Sequence, residues 1–180
     1  MSNIVVGVAG GIGVGKSEFA RALAMALGGA ATGFGDMVRE AALSRGISLD
    51  RDNLQMFGAA LKTELGDDEF ARRALVRLHT DGPAVIEGVR HVEIADALAR
   101  VAAPRKFMLI FLDADTDLRQ GRITNVRPDD AARLSTLGQH STEKQVLDGS
   151  LRHRADLVLD ARLELVSLVH VVLEALGLKS

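Results

Sequence analysis

Residues 10–17 read Gly-Gly-Ile-Gly-Val-Gly-Lys-Ser and follow directly on the apolar run Ile4-Val5-Val6-Gly7-Val8-Ala9. A β-type run, a glycine-rich turn and an amphipathic helical pattern from Lys16 to about Gly28 give the strand–turn–helix context of a phosphate-binding loop, or P-loop. The glycines answer a physical need. Successive backbone N–H groups must turn inward to make an anion-binding nest, and side chains there would block the phosphates. The helix that follows points its positive N-terminal end at the same anion. On this reading Gly11, Gly13, Val14, Gly15, Lys16 and Ser17 hold a nucleoside triphosphate. Lys16 reaches its β- and γ-phosphates, and the Ser17 hydroxyl takes Mg²⁺. The expected cofactors are ATP and Mg²⁺.

Composition narrows the partners. The chain has 180 residues, of which 47% are apolar and 26% charged, the profile of one globular domain over 1–180. It holds no cysteine, which excludes disulfides, thiol catalysis and zinc–thiolate sites. A formal charge of −2 offers no basic field for a nucleic acid polymer, and with no Trp or Tyr there is no base-stacking platform. No basic residue precedes the first apolar stretch, and no apolar run approaches membrane-spanning length. These features predict a cytoplasmic protein without a membrane partner, acting as a monomer or weak homodimer on a small-molecule acceptor.

Three later runs read as buried parallel strands: Ala84-Val85-Ile86, Phe107 to Leu112, and Leu157-Val158-Leu159. A weaker one lies at Ala31–Phe34. Helical patterns fall between them over Met37–Arg45, Arg51–Leu65, Asp67–His79, His91–Ala102, Asp115–Thr124, Asp129–Leu137 and Arg162–Leu176. Alternating strands and helices predict an α/β protein with a parallel sheet covered on both faces. The polar segment Gly121–Ser150 has few large apolar residues, is broken at Arg127-Pro128, and fits a small lid over about 119–150.

Three segments carry a second tier of chemistry. In Gly35-Asp36-Met37-Val38-Arg39-Glu40, Asp36 reads as an N-cap for the following helix or as a general base, and Arg39 as a holder of an anionic acceptor. In Val85-Ile86-Glu87-Gly88-Val89-Arg90, a buried strand ends in a carboxylate. An acid in that place stands beside the P-loop, where Glu87 can serve the metal shell. Arg90 then emerges as a second phosphate contact. After the fourth strand come Arg119, Arg122 and Arg127, with Arg122 and Arg127 the candidates to neutralise charge on a transferring phosphoryl group. The five histidines show no ligand spacing, and His153 and His170 read as helix-surface residues.

Val6 through Ser17 is similar to the opening of dephospho-coenzyme A kinases. Thr32 through Arg39 resembles the acceptor segment Thr-Gly-Asp-Met-Leu-Arg of adenylate kinases, and Glu87-Gly88-Val89-Arg90 resembles their Asp-Gly-Phe-Pro-Arg. Arg122 and Arg127 match the lid arginines of both groups in placement. His140 to Glu143 and Ala155 to Leu159 look like the end of uncharacterised kinases related to deoxynucleotide and dephospho-coenzyme A kinases. The chain thus resembles the nucleoside monophosphate kinase superfamily of small P-loop kinases. That resemblance implies a three-layer P-loop NTPase fold with a five-stranded parallel sheet in the order 2-3-1-4-5, acceptor-binding helices over about 36–80, and a helical lid. It also implies transfer of the γ-phosphoryl of ATP·Mg²⁺ to a phosphate-bearing acceptor, with a nucleoside monophosphate first in line. Two rivals stay open: transfer to a sugar hydroxyl, as in dephospho-coenzyme A kinase with Asp36 as base, and a non-catalytic nucleotide-binding switch. No Asn/Thr-Lys-x-Asp guanine-recognition motif occurs.

Overall fold

The computed structural model describes residues 3–114, 146 and 148–178. The expected helices over Asp115–Thr124 and Asp129–Leu137 lie outside these residues. The sheet has five strands: β1 (Ile4–Gly10), β2 (Ala30–Gly33), β3 (Ala84–Val89), β4 (Lys106–Asp113) and β5 (Leu157–Asp160). Their order is β2-β3-β1-β4-β5, and all pairings are parallel, as expected. The helices among the described residues are α1 (Lys16–Leu27), α2 (Phe34–Ser44), α3 (Arg51–Leu65), α4 (Asp67–Val76), α5 (Val92–Ala102), α6 (Ser150–Arg154) and α7 (Leu165–Ala175).

Strand alternation sorts the apolar residues into two cores. Val6 and Val8 of β1, Val85 of β3, and Ile110 and Leu112 of β4 face α1 and α7, where they meet Phe19, Leu23, Leu168 and Val172. Val5 and Ala9, Ile86, and Leu109 and Phe111 face the other way into α2–α6. Period-two alternation over strands buried on both faces is why these segments read as continuous apolar runs.

Strand β3 runs past Glu87, the carboxylate in which the sequence reading ended it. It continues through Glu87 to Val89, with Val8 opposite Glu87 and Ala9 opposite Val89. The skipped residue, Gly88, takes φ 84°, a left-handed value that favours glycine. This bulge has a consequence for the faces. Glu87 keeps the face of Val85, toward α1, while Val89 joins the opposite core with Ala9.

Two helices start away from their expected positions. Helix α2 begins at Phe34, directly out of β2, because the Phe34 ring is stacked on Phe70 of α4 with centroids 5.2 Å apart. Helix α7 begins at Leu165, three residues late. Asp160 accepts from the Arg162 amide (3.0 Å) and the Leu163 amide donates to the Asp160 carbonyl (3.1 Å), which fixes a turn first. By contrast α3 has the expected bounds, with Asp50 accepting from the Asn53 amide at 3.0 Å as its N-cap. No helix among the described residues is long and apolar enough to cross a membrane.

His91 caps α5 and is half-buried. Burial, with help from the Lys62 and Arg90 charges, pushes its imidazole below the ordinary value, against the weaker pull of Glu93 and Asp67. The folded state therefore binds this proton less tightly than the unfolded chain. The stabilisation it brings is complete above the unfolded value of about 6.5 and is lost as pH falls through that value toward the folded one. Melting curves taken from about pH 7 to about pH 5 should show a smaller acid-induced drop in Tm for His91→Asn than for the native chain. Parallel curves would refute the assignment.

Candidate functional site: a phosphate loop and the strand ends beside it

The loop from Gly11 to Gly15 joins β1 to α1. Gly13 and Gly15 hold φ of 80° and 97°, and Gly15 caps α1 with no side-chain hydrogen bond. The first amides of a helix have no intrahelical partner, so this end is chemically suited to an anion. Val14 points away from the loop into the core shared by α1 and α7, where it is 2% exposed. That anchor fixes the loop's path. The Lys16 ammonium is folded across the loop, donating to the carbonyls of Gly10 (2.9 Å) and Gly11 (2.7 Å). All six residues expected to hold the nucleotide phosphates thus surround one turn.

Ser17 and Glu87 are brought together across 70 residues of sequence. The Ser17 hydroxyl donates to Glu87 Oε1 at 3.0 Å. These two hard oxygen donors, partly open to solvent, fit Mg²⁺, which takes one or two protein oxygens and completes its shell with water and substrate phosphate. Among the described residues no group of three or more His, Asp or Glu is arranged to hold a metal alone.

Asp36 is not the N-cap of α2. Gly33 takes that place in extended backbone, and Asp36 lies within the first helical turn, where a carboxylate still complements the helix dipole. Its Oδ1 accepts from the Arg39 guanidinium at 2.6 Å, with both side chains about half exposed (55% and 50%). An ion pair so open to water contributes at most about 1 kcal/mol. An anionic ligand can displace it from Arg39. Arg90 follows the last residue of β3 and is half-buried between that strand and α5. Arg122 and Arg127 lie outside the described residues, as does most of the expected lid. Val146 within that lid range is buried against the core of α2–α6. His153 and His170 are exposed on helices, as expected.

Three features of this end escaped the sequence reading. Arg77, at the end of α4, donates to the Thr32 hydroxyl (3.3 Å) and is ion-paired with Glu40, tying α4 to β2 and α2. Asp113 ends β4, one residue beyond the partner of Gly10, and is ion-paired with Arg152 at 3.0 Å. The rule that singled out Glu87, an acid at the C-terminal end of a parallel strand, would have found it. Asp160 ends β5 opposite Asp113, and its bonds from Arg162 hold its carboxyl down to about 2.

The AAA domain family matches residues 6–146, more than three quarters of the chain. A UPF0200 protein of Aeropyrum pernix is 36% identical over 114 residues, 58% of this chain and 61% of that protein. One from Thermoplasma volcanium is 32% identical over 130 residues, 72% of each. The chain thus spans about 60–70% of the length of these two relatives. Among solved structures, a shikimate kinase from Bacteroides thetaiotaomicron superposes with a TM-score of 0.59 at 17% identity, covering 97% of this chain and 99% of that one. A gluconokinase from Sinorhizobium meliloti 1021 gives 0.55 at 21% identity, covering 97% and 92%. At such identities the likeness establishes the fold. With the family match and the phosphate loop, it leads to one conclusion: the chain belongs to the UPF0200 family and the AAA domain family, and it has the fold of these small P-loop proteins.

Proposed function

We propose that the protein is a cytoplasmic ATP-dependent kinase that phosphorylates a small, phosphate-bearing acceptor, with a nucleoside monophosphate as the first choice. The observation that carries this reading is the contact from Ser17 to Glu87, directly beside the N-cap of the helix bearing Asp36 and Arg39. Donor phosphates, metal donors and an arginine suited to an acceptor then share one end of the sheet. ATP·Mg²⁺ supplies the γ-phosphoryl group, which leaves the bridging oxygen of ADP and bonds to an acceptor oxygen. The protein's part is positioning and charge neutralisation. The amides of Gly11–Ser17 and the Lys16 ammonium hold the donor, Ser17 and Glu87 the metal, and Arg39 and Arg90 the acceptor phosphate. Arg122 and Arg127 are assigned to the transferring charge. The domain assignment, one unit with acceptor helices over about 36–80 and a lid over about 119–150, is part of the same proposal.

A second reading has its own support. Asp36 presents a half-exposed carboxylate, and the solved neighbours are named as a shikimate kinase and a gluconokinase. With a hydroxyl acceptor Asp36 would act as general base, a role that an already ionised phosphate acceptor does not need. ATP turnover against a panel of nucleoside monophosphates, coenzyme A precursors and hydroxy acids decides between them. A melting-shift screen supplies the ligand shortlist, because a ligand at 100 times its Kd stabilises the fold by about 2.7 kcal/mol. Acceptor-stimulated ADP release excludes a mere switch, and turnover that no acceptor stimulates rejects both kinase readings.

Lys16→Ala should abolish most phosphoryl transfer while leaving Tm near that of the native chain, since Lys16 lies outside both cores and its ammonium bonds the Gly10 and Gly11 carbonyls of the loop. Activity near the native level would reject the P-loop assignment. Arg39→Ala and Arg90→Ala should each raise the acceptor KM or lower kcat with little change in ATP affinity. The expected loss is about 1.5–3 kcal/mol of acceptor binding per charge-assisted contact. An equal loss of ATP binding would put the arginine on the donor side.

A further inference from the structure

Gly33 is the last residue of β2 and stands directly opposite Glu87 in the parallel β2–β3 ladder. A Cβ on Gly33 would lie 2.8 Å from Glu87 Oε1, 3.2 Å from its Cδ and 3.3 Å from its Cγ. The same Oε1 accepts the Ser17 hydroxyl at 3.0 Å. Backbone conformation does not call for glycine here. Gly33 has φ −125° and ψ 150°, extended values that any residue adopts. The bare backbone matters for the room it leaves.

That room is needed because the acid is a glutamate. An aspartate reaches one methylene less far from the strand. Glu87 carries its carboxylate further out and over the end of β2, and a methyl group on Gly33 would stand against the carboxylate itself. The clash would fall on the far end of a flexible side chain. The strand would keep its place, and the carboxylate would swing off Ser17.

We infer that Gly33 is a positioning residue. By leaving its side of the ladder open, it holds the Glu87 carboxylate against the Ser17 hydroxyl and so sets the Mg²⁺ dependence of nucleotide binding. This inference rests on Ser17 and Glu87 as the metal donors of the proposed kinase, and its test separates the two. Calorimetric titrations of ATP in EDTA and across a Mg²⁺ series, on the full chain, compare the native protein with Gly33→Ala and with Gly33→Ala/Glu87→Asp.

Gly33→Ala should keep the native Tm and the native affinity in EDTA. Its half-saturating Mg²⁺ concentration should rise about tenfold, the low end of what loss of a metal-orienting partner costs. The shorter acid of the double variant should clear the new methyl and recover much of that shift. An unchanged Mg²⁺ midpoint in Gly33→Ala overturns the inference. So does an equal loss of affinity with and without Mg²⁺, or a shift that the double variant fails to relieve. A native chain that binds no ATP in either condition defeats the nucleotide reading, and this inference with it. A native chain that binds ATP equally with and without Mg²⁺ leaves the phosphate loop standing and defeats the metal assignment of Ser17 and Glu87 together with the role of Gly33.

Discussion

Strand β1 is paired along its length, to β3 on one side and β4 on the other, and all seven of its residues are buried. Nothing in it can shift without breaking two ladders and disturbing two cores. The loop from Gly11 to Gly15 hangs from this strand, with Val14 inserted into one core just before α1 begins. A backbone nest works as an anion site only if its amides are held in place before the anion arrives. In this protein the fixity comes from the middle of the sheet, so the most thoroughly buried element also positions the part most exposed to ligand.

The remaining groups at this end are gathered by strand ends. In a parallel sheet all C-terminal ends lie on one edge, which brings Gly33, Glu87, Gly10, Asp113 and Asp160 into one row. The bulge at Gly88 sorts that row in depth. It leaves Glu87 on the α1 side with Val85 while sending Val89 to the opposite core. One glycine out of register thus separates the polar Glu87 from the apolar Val89, two residues on along the same strand.

Much of this was legible in the chain itself. Strands buried on both faces announce themselves as apolar runs, and the P-loop has a local signature, so the parallel sheet and the Ser17–Glu87 neighbourhood were within reach, while the strand order came from the resemblance to small P-loop kinases. The bounds of α3 were readable because Asp50 and Gly66 mark its ends by local chemistry. The start of α2 was not, since it depends on Phe34 meeting Phe70 from a helix more than thirty residues away. Arg77 was missed for the same reason: its partners Thr32 and Glu40 lie on elements that only the fold brings near. The space beside Gly33 is a property of two strands, and no single stretch of sequence records it.

Lys16 also has bonds within the loop itself. Its ammonium is held by two loop carbonyls, so the cation is folded back on the loop that carries it. On the nucleotide reading proposed above, a triphosphate would enter by exchange, the lysine giving up backbone oxygens for phosphate oxygens of higher charge. Its net gain is the difference between two sets of bonds. Under that proposal, an entering anion has to offer Lys16 more than the two carbonyls already do.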